Sequence, residues 1–184
     1  MDSYLINVAG LERSLKLCRI SDDLYIAAFI MFGDVELNEH CAKKLLEMAP
    51  EHDYIITAEA KSIPLVYEMA RLSGKNKYFI ARKGPKLYMT DPIIVELKSI
   101  TTERTQKLYL DRADAELMRG KRVLIVDDVI STGESLRALE TLVNTSGGII
   151  AGKMAVLAEG DAMNRSDIKF LAPLPLFNAE GKPL

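Results

Sequence analysis

The chain has no tryptophan and only two cysteines, Cys18 and Cys41, among its 184 residues. Two thiols without a CxxC spacing are too few for a disulfide scaffold or a cysteine zinc cluster, so both are expected to be reduced and buried. Long apolar runs are absent as well. The longest uncharged one, Leu24 to Phe32, falls far short of the roughly 20 residues that a membrane helix needs. Asp2 stands where a secretory signal would carry lysines. Neither secretion nor membrane insertion is expected, and a cytoplasmic location is. There is no surplus of positive charge, with 24 Lys and Arg against 26 Asp and Glu and a net charge of -2. That balance excludes a sequence-independent grip on nucleic acid, which depends on neutralising phosphates, and points to a small ligand. Internal repeats and low-complexity tracts are missing too.

What remains is a chain that is 48% hydrophobic, which suits one domain spanning 1–184. A domain of this size buries roughly 70% of its unfolded surface and needs no metal or disulfide to hold it. Short apolar runs alternate with segments of helical period, the pattern of an α/β fold. Strands are expected at 24–32, 54–58, 78–81, 93–97, 107–110, 123–126 and 149–157. Helices are expected at 37–48, at 64–72 with Pro64 in its first turn, and at 135–143. Runs such as VLIV and YIITA are apolar on both faces, as in a parallel sheet covered by helices on each side. Residues 83–111 break the pattern with Gly84, Pro85, Pro92 and a polar stretch, and read as a two-stranded excursion with a mobile tip.

The strongest chemical signal is Val123-Leu-Ile-Val-Asp-Asp-Val-Ile-Ser-Thr-Gly-Glu-Ser135, a buried strand, two acids, and a Ser/Thr/Gly turn that opens a helix. In an open parallel sheet, ligands bind beyond the carboxyl ends of the strands, where the N–H groups of a helix start attract phosphate. Ser131, Thr132, Gly133, Glu134 and Ser135 form that turn. Gly133 lets the backbone approach an anion and the hydroxyls add uncharged donors. Asp127 and Asp128 would repel the same phosphate, but they can accept hydrogen bonds from sugar hydroxyls or face a cation, so the motif describes a phosphorylated sugar. The bland alternative is an N-cap following a strand that happens to end in acids. Two decoys are set aside. Residues 147–153 have the glycine and lysine spacing of a nucleotide-binding loop, but Met154 replaces the metal-binding hydroxyl and a strand-like run follows. A phosphoacceptor domain would place its acids on an early strand with no phosphate turn after them.

This segment resembles the phosphoribosyl-pyrophosphate signature of the type I phosphoribosyltransferases. Thr57-Ala-Glu-Ala-Lys-Ser-Ile-Pro64 resembles the family's pyrophosphate loop, and Ala81-Arg-Lys-Gly84 its next strand end. The resemblance covers about residues 50–160 and is closest to the purine branch, the adenine and xanthine enzymes. It implies a parallel sheet core flanked by helices, a flexible hairpin and a small hood from the N- and C-terminal segments. It also implies transfer of phosphoribosyl from 5-phosphoribosyl 1-pyrophosphate to a purine, in a homodimer. Asp127 and Asp128 would hold the ribose hydroxyls, and residues 131–135 the 5-phosphate. Lys61, Ser62, Arg82, Lys83 and Lys86 would hold the pyrophosphate, with Mg2+ brought by that pyrophosphate rather than by a protein ligand set. The loop at about 98–108 would close over the site, with Glu103 as a candidate acid or base.

The chain also departs from the family. Arg104 follows Glu103 where adenine enzymes have Tyr. Glu134 stands where many relatives have Gly. Ser131 replaces the Asp that hypoxanthine-guanine enzymes direct at the base, and no Lys stands near Glu159-Gly160, where they place one for the base oxygen. These absences favour adenine over xanthine and hypoxanthine or guanine. A non-catalytic sensor of the sugar pyrophosphate is the second class of function, although related repressors add an N-terminal DNA-binding domain, and here only about twenty residues precede the expected first strand. Phe29, Phe32 and Phe177 could stack on a base, although residues of this kind more often belong to the core. His40 and His52 have no second ligand at metal spacing.

Overall fold

The computed structural model describes residues 3–98 and 105–184. The chain opens with β1 (Ser3–Val8), β2 (Leu11–Arg19) and β3 (Tyr25–Ala27), which form an antiparallel sheet in sequence order. After α1 (Val35–Met48) come β4 (Tyr54–Ala58), α2 (Ile63–Leu72) and β5 (Phe79–Ala81). A hairpin follows, β6 (Ile93–Lys98) and β7 (Thr105–Leu110), and then α3 (Arg112–Met118). The last third alternates β8 (Arg122–Ile130), α4 (Glu134–Thr145), β9 (Ile149–Glu159), a short 3-10 helix (Gly160–Asn164) and β10 (Lys169–Leu174).

A five-stranded sheet in the order β10-β9-β8-β4-β5, parallel at every pairing, forms the centre. The side chains of β8 alternate between its faces, as strand geometry requires. Val123 and Ile125 pack with Leu136, Leu139 and Val143 of α4 and with Val95 and Leu108 of the hairpin. Leu124 and Val126 pack on the other side with Leu37, Cys41 and Leu45 of α1 and with Leu65, Val66 and Met69 of α2. Both faces are therefore covered, and this explains why the strand reads as an unbroken apolar run. The antiparallel N-terminal sheet joins the α1 side. It is tied to the C-terminal segment by backbone bonds between Tyr25 and Phe177 and by a tilted ring contact from Tyr4 to Phe177, with centroids 4.9 Å apart.

Several expectations need correction. The run 24–32 is strand only at Tyr25–Ala27, and two strands precede it, so the first strand begins at Ser3 rather than about twenty residues in. β10 and α3 were not expected. Asp127 and Asp128 lie within β8, which continues to Ile130 because Val129 and Ile130 still pair with Leu157 and Ala158. As expected, the glycine-rich stretch 147–153 runs into a strand, with residues 149–153 already in β9. Phe29 and Phe177 are buried in the core beside the N-terminal sheet, which removes them as stacking platforms, whereas Phe32 is half exposed. His40 and His52 each face a backbone carbonyl, of Ala9 and Pro50, and join no metal-binding group among the described residues.

Candidate active site

Strand alternation carries Asp128 toward the α2 side of the sheet, and it meets the start of that helix. Ser62 stands at the helix N-cap, yet its hydroxyl caps nothing and is directed at the acids. It donates to Asp127 Oδ1 at 2.6 Å and lies 3.3 Å from Asp128 Oδ1, while the backbone N–H of Asp128 donates to the Ser62 oxygen at 2.9 Å. The same N–H also reaches Asp127 Oδ1, again at 2.9 Å. Ser62 and Asp128 are both buried. Lys61 completes the cluster with its ammonium 2.5 Å from Asp128 Oδ2, off the line of a good hydrogen bond, so the contact is mainly Coulombic. Asp127 is pushed above the usual carboxylate range, first by burial and second by the neighbouring charge of Asp128.

Beyond the acids the chain turns sharply. Gly133 takes φ +78°, a left-handed conformation that favours glycine, and α4 starts at the next residue. Ser131, Thr132, Gly133, Glu134 and Ser135 line a cleft of about 110 Å3 together with Asp127. That volume suits a phosphate group. The N–H groups of a first helical turn have no intrahelical partner, which makes the place favourable for an anion. Two residues to which the sequence reading gave no role also flank this turn. Glu159, at the end of β9, faces Ser131, and burial raises its carboxyl against the opposing pull of Ser131 and Lys61. The guanidinium of Arg165 approaches the Gly133 turn so closely that a Cβ there would lie 2.7 Å from Nη1. No periodicity marks either residue, and both follow the segment in which the motif is recognisable.

The basic residues of the neighbouring strand end gather around Glu59. Arg82 Nε lies 3.2 Å from Glu59 Oε2, and the Lys83 N–H donates to the same oxygen at 3.0 Å. That N–H bond lowers the Glu59 carboxyl most, with the charges of Arg82, Lys86 and Lys83 adding to it. Glu59 directly precedes Ala60 and Lys61, so this cluster adjoins the loop that supplies Lys61 and Ser62. Structure thus unites Lys61, Ser62, Asp127 and Asp128 by direct contact, brings the Gly133 turn and Asp127 to one cleft, and places Arg82, Lys83 and Lys86 beside the same loop. Glu103 lies outside the described residues. A larger hollow of about 400 Å3 runs between α1 and α2, lined by Asp34, Asn38, Tyr67 and Arg71, and contains none of these groups.

Removing the Ser62 hydroxyl tests how far it holds the acids. Ser62→Ala leaves Asp127 without its shortest donor inside a buried cluster, and a net cost of about 1–3 kcal/mol is expected. Chemical denaturation should show a lower midpoint at unchanged slope.

A parallel α/β sheet whose central strand carries paired acids shortly before a helix-opening turn sets hydrogen-bond acceptors next to a place favourable for an anion. The family described as phosphoribosyl transferase domain matches residues 35–168, and the chain belongs to it. Among its relatives, an adenine phosphoribosyltransferase of Petrotoga mobilis is 30% identical over 74% of this chain and 76% of its own length. A hypoxanthine/guanine phosphoribosyltransferase of Methanococcus maripaludis is also 30% identical, over 84% of this chain and 83% of its own. In fold, the chain matches the crystal structure of an adenine phosphoribosyltransferase from Thermoanaerobacter pseudethanolicus with a TM-score of 0.65 at 22% identity, over 76% of this chain and 82% of that one. Among the described residues, no helix is long and apolar enough to cross a membrane.

Proposed function

We propose that this protein transfers the 5-phosphoribosyl group from 5-phosphoribosyl 1-pyrophosphate to a purine base, with adenine the preferred acceptor, releasing pyrophosphate and the nucleoside 5-monophosphate. The observation that carries the reading is the contact of Asp127 and Asp128 with Ser62 of the neighbouring loop, in continuity with the Gly133 turn. It supports a reading in which two acceptors for sugar hydroxyls lie between the 5-phosphate and the pyrophosphate.

The base nitrogen attacks carbon 1 of the ribose as the bond from that carbon to the pyrophosphate oxygen breaks. Positive charge develops on the ring and negative charge on the leaving group. Asp127 and Asp128 accept the ribose hydroxyls, and their negative field favours the cationic ring most strongly at the transition state. Lys61, Arg82, Lys83 and Lys86 meet the departing charge. No group of three or more potential ligands among the described residues could cage a metal by itself. A magnesium ion would come with the substrate's own pyrophosphate, with Asp127 and Asp128 as the nearby hard oxygen donors. When bound it would supply charge neutralisation on the leaving group. The N-terminal sheet and the segment around Phe177 would form the hood over the base; of the loop expected at about 98–108, the part from Thr105 onward belongs to β7 and residues 99–104 lie outside the described residues.

Adenine is favoured by the groups that would meet the base. Ser131 and Glu159 stand together where an oxopurine enzyme would offer Asp and Lys. A carboxylate acceptor there suits the donor amine of adenine and leaves a 6-oxo oxygen unpaired, a penalty of about 1–3 kcal/mol. Incubation with phosphoribosyl pyrophosphate, magnesium and each purine in turn tests the whole reading. The expected result is a kcat/KM for adenine about tenfold to a hundredfold above those for hypoxanthine, guanine and xanthine. Preference for an oxopurine would move the assignment toward the Methanococcus relative, and no nucleotide with any base would leave a ligand-sensing role.

A further inference from the structure

The sequence motif assigns the phosphate turn a backbone and hydroxyls but no cation, and a phosphate monoester carries nearly two negative charges near neutral pH. We infer that Arg165, from the segment after the 3-10 helix, is a charged ligand of the phosphate held by the Gly133 turn. This rests on the proposed reading of that turn as the 5-phosphate site.

Arg165 is already oriented. Its Nε and Nη2 donate to the two oxygens of Asp167 at 2.9 and 2.8 Å, a fork-to-fork pair. Asp167 is fixed from a second direction by Lys153 of β9, 2.5 Å away, and Lys153 is anchored to Glu140 of α4 at 2.8 Å. The guanidinium is therefore tied through three successive ion pairs to the helix whose N-terminus forms the phosphate site. Those pairs use one edge of the plane and leave Nη1 on the other. That nitrogen lies 2.7 Å from the point where a Gly133 Cβ would be, whereas Cζ is 4.0 Å from it, so the unused edge is turned toward the loop. The side chain keeps 27% of its exposure, open enough to be reached and restrained enough to lose little freedom on binding. Asp167 stays ionised well below the usual carboxylate range because Arg165 and Lys153 both bond to it, so the clamp persists across ordinary pH.

Gly133 then has two reasons to lack a side chain. Its positive φ is one, and the approach of Nη1 is the other. Arg165 contributes to ground-state and transition-state binding alike, since the 5-phosphate does not react, and its loss should raise KM more than it lowers kcat.

The test is calorimetric titration of ribose 5-phosphate, and separately of pyrophosphate with magnesium, into the wild type, Arg165→Lys, Arg165→Gln and Arg165→Ala. The neutral variants should bind ribose 5-phosphate about tenfold to a hundredfold more weakly, Arg165→Lys should recover part of that loss, and pyrophosphate affinity should stay within about twofold. Unchanged ribose 5-phosphate binding in Arg165→Ala and Arg165→Gln would overturn the inference. So would an equal loss for both ligands in every variant, the mark of a merely structural residue. A wild type that binds no ribose 5-phosphate would instead overturn the phosphoribosyl reading itself, which separates the two failures.

Discussion

Replacing both acids, Asp127→Asn with Asp128→Asn, is expected to lower kcat/KM for nucleotide synthesis by at least about a hundredfold. Each change removes a charge-assisted hydrogen bond to a ribose hydroxyl, worth roughly 1.5–3 kcal/mol, and weakens the field that favours a cationic ring. The two losses will not add fully, because both carboxylates share Ser62 and touch each other's hydrogen-bond network. Steady-state kinetics on the single and double variants gives the coupling directly. A double variant with wild-type efficiency would remove the ribose assignment.

The same pair makes a second observable move in the opposite direction. Asp127 has its pKa raised to about 7 by burial and by Asp128, so the folded state holds its proton more tightly than the unfolded chain does. Linkage then fixes the sign. Below about pH 4 both states are protonated and nothing is lost; as pH climbs toward 7 the unfolded state ionises first, and the native state loses stability relative to it. Asp127→Asn cannot ionise, so its stability relative to wild type should grow between pH 5 and 8 by roughly 1–3 kcal/mol, or several degrees in Tm. The lower end is favoured because Asp127 keeps some contact with water. A variant less active and more stable at pH 8 is the pattern of a site strained for function. Equal Tm differences at both pH values would place the Asp127 proton elsewhere.

Legibility in the sequence followed the physics of each element. β4, β8 and β9 are buried on both faces, so their unbroken apolar runs stand out, and α1, α2 and α4 each turn a clear apolar stripe to the sheet. The first hairpin was hidden by its turn. Ala9 and Gly10 both take positive φ, 53° and 83°, in a place where Asn-Gly would have announced a hairpin and Ala does not. β10 was hidden by Pro173, which reads as a strand breaker yet is tolerated because β10 is an edge strand. At the site, contiguous residues were legible: the acids, the turn and the Lys61-Ser62 loop. Glu59, Glu159 and Arg165 were not, because each acts through a partner distant in sequence, respectively Arg82 with Lys83, Ser131, and the Gly133 turn. Only folding brings those pairs together.

Lys61→Ala should weaken phosphoribosyl pyrophosphate about tenfold or more while leaving the nucleoside monophosphate product unchanged or bound slightly more tightly. The asymmetry comes from what Lys61 does in the empty site, where its ammonium rests on Asp128 Oδ2. Either ligand needs Asp128 for a ribose hydroxyl, so either must disturb that ion pair. The sugar pyrophosphate offers Lys61 a new anionic partner in return, whereas the monophosphate offers it none. Lys61 is half exposed, so part of its attraction to Asp128 is screened by water, and the pair adds little to fold stability. Its loss should therefore appear in ligand discrimination rather than in Tm. Calorimetric titration of both ligands into wild type and variant measures the ratio. Equal weakening of the two would mean that Lys61 serves the ribose or the 5-phosphate, and that Arg82, Lys83 and Lys86 meet the leaving group without it.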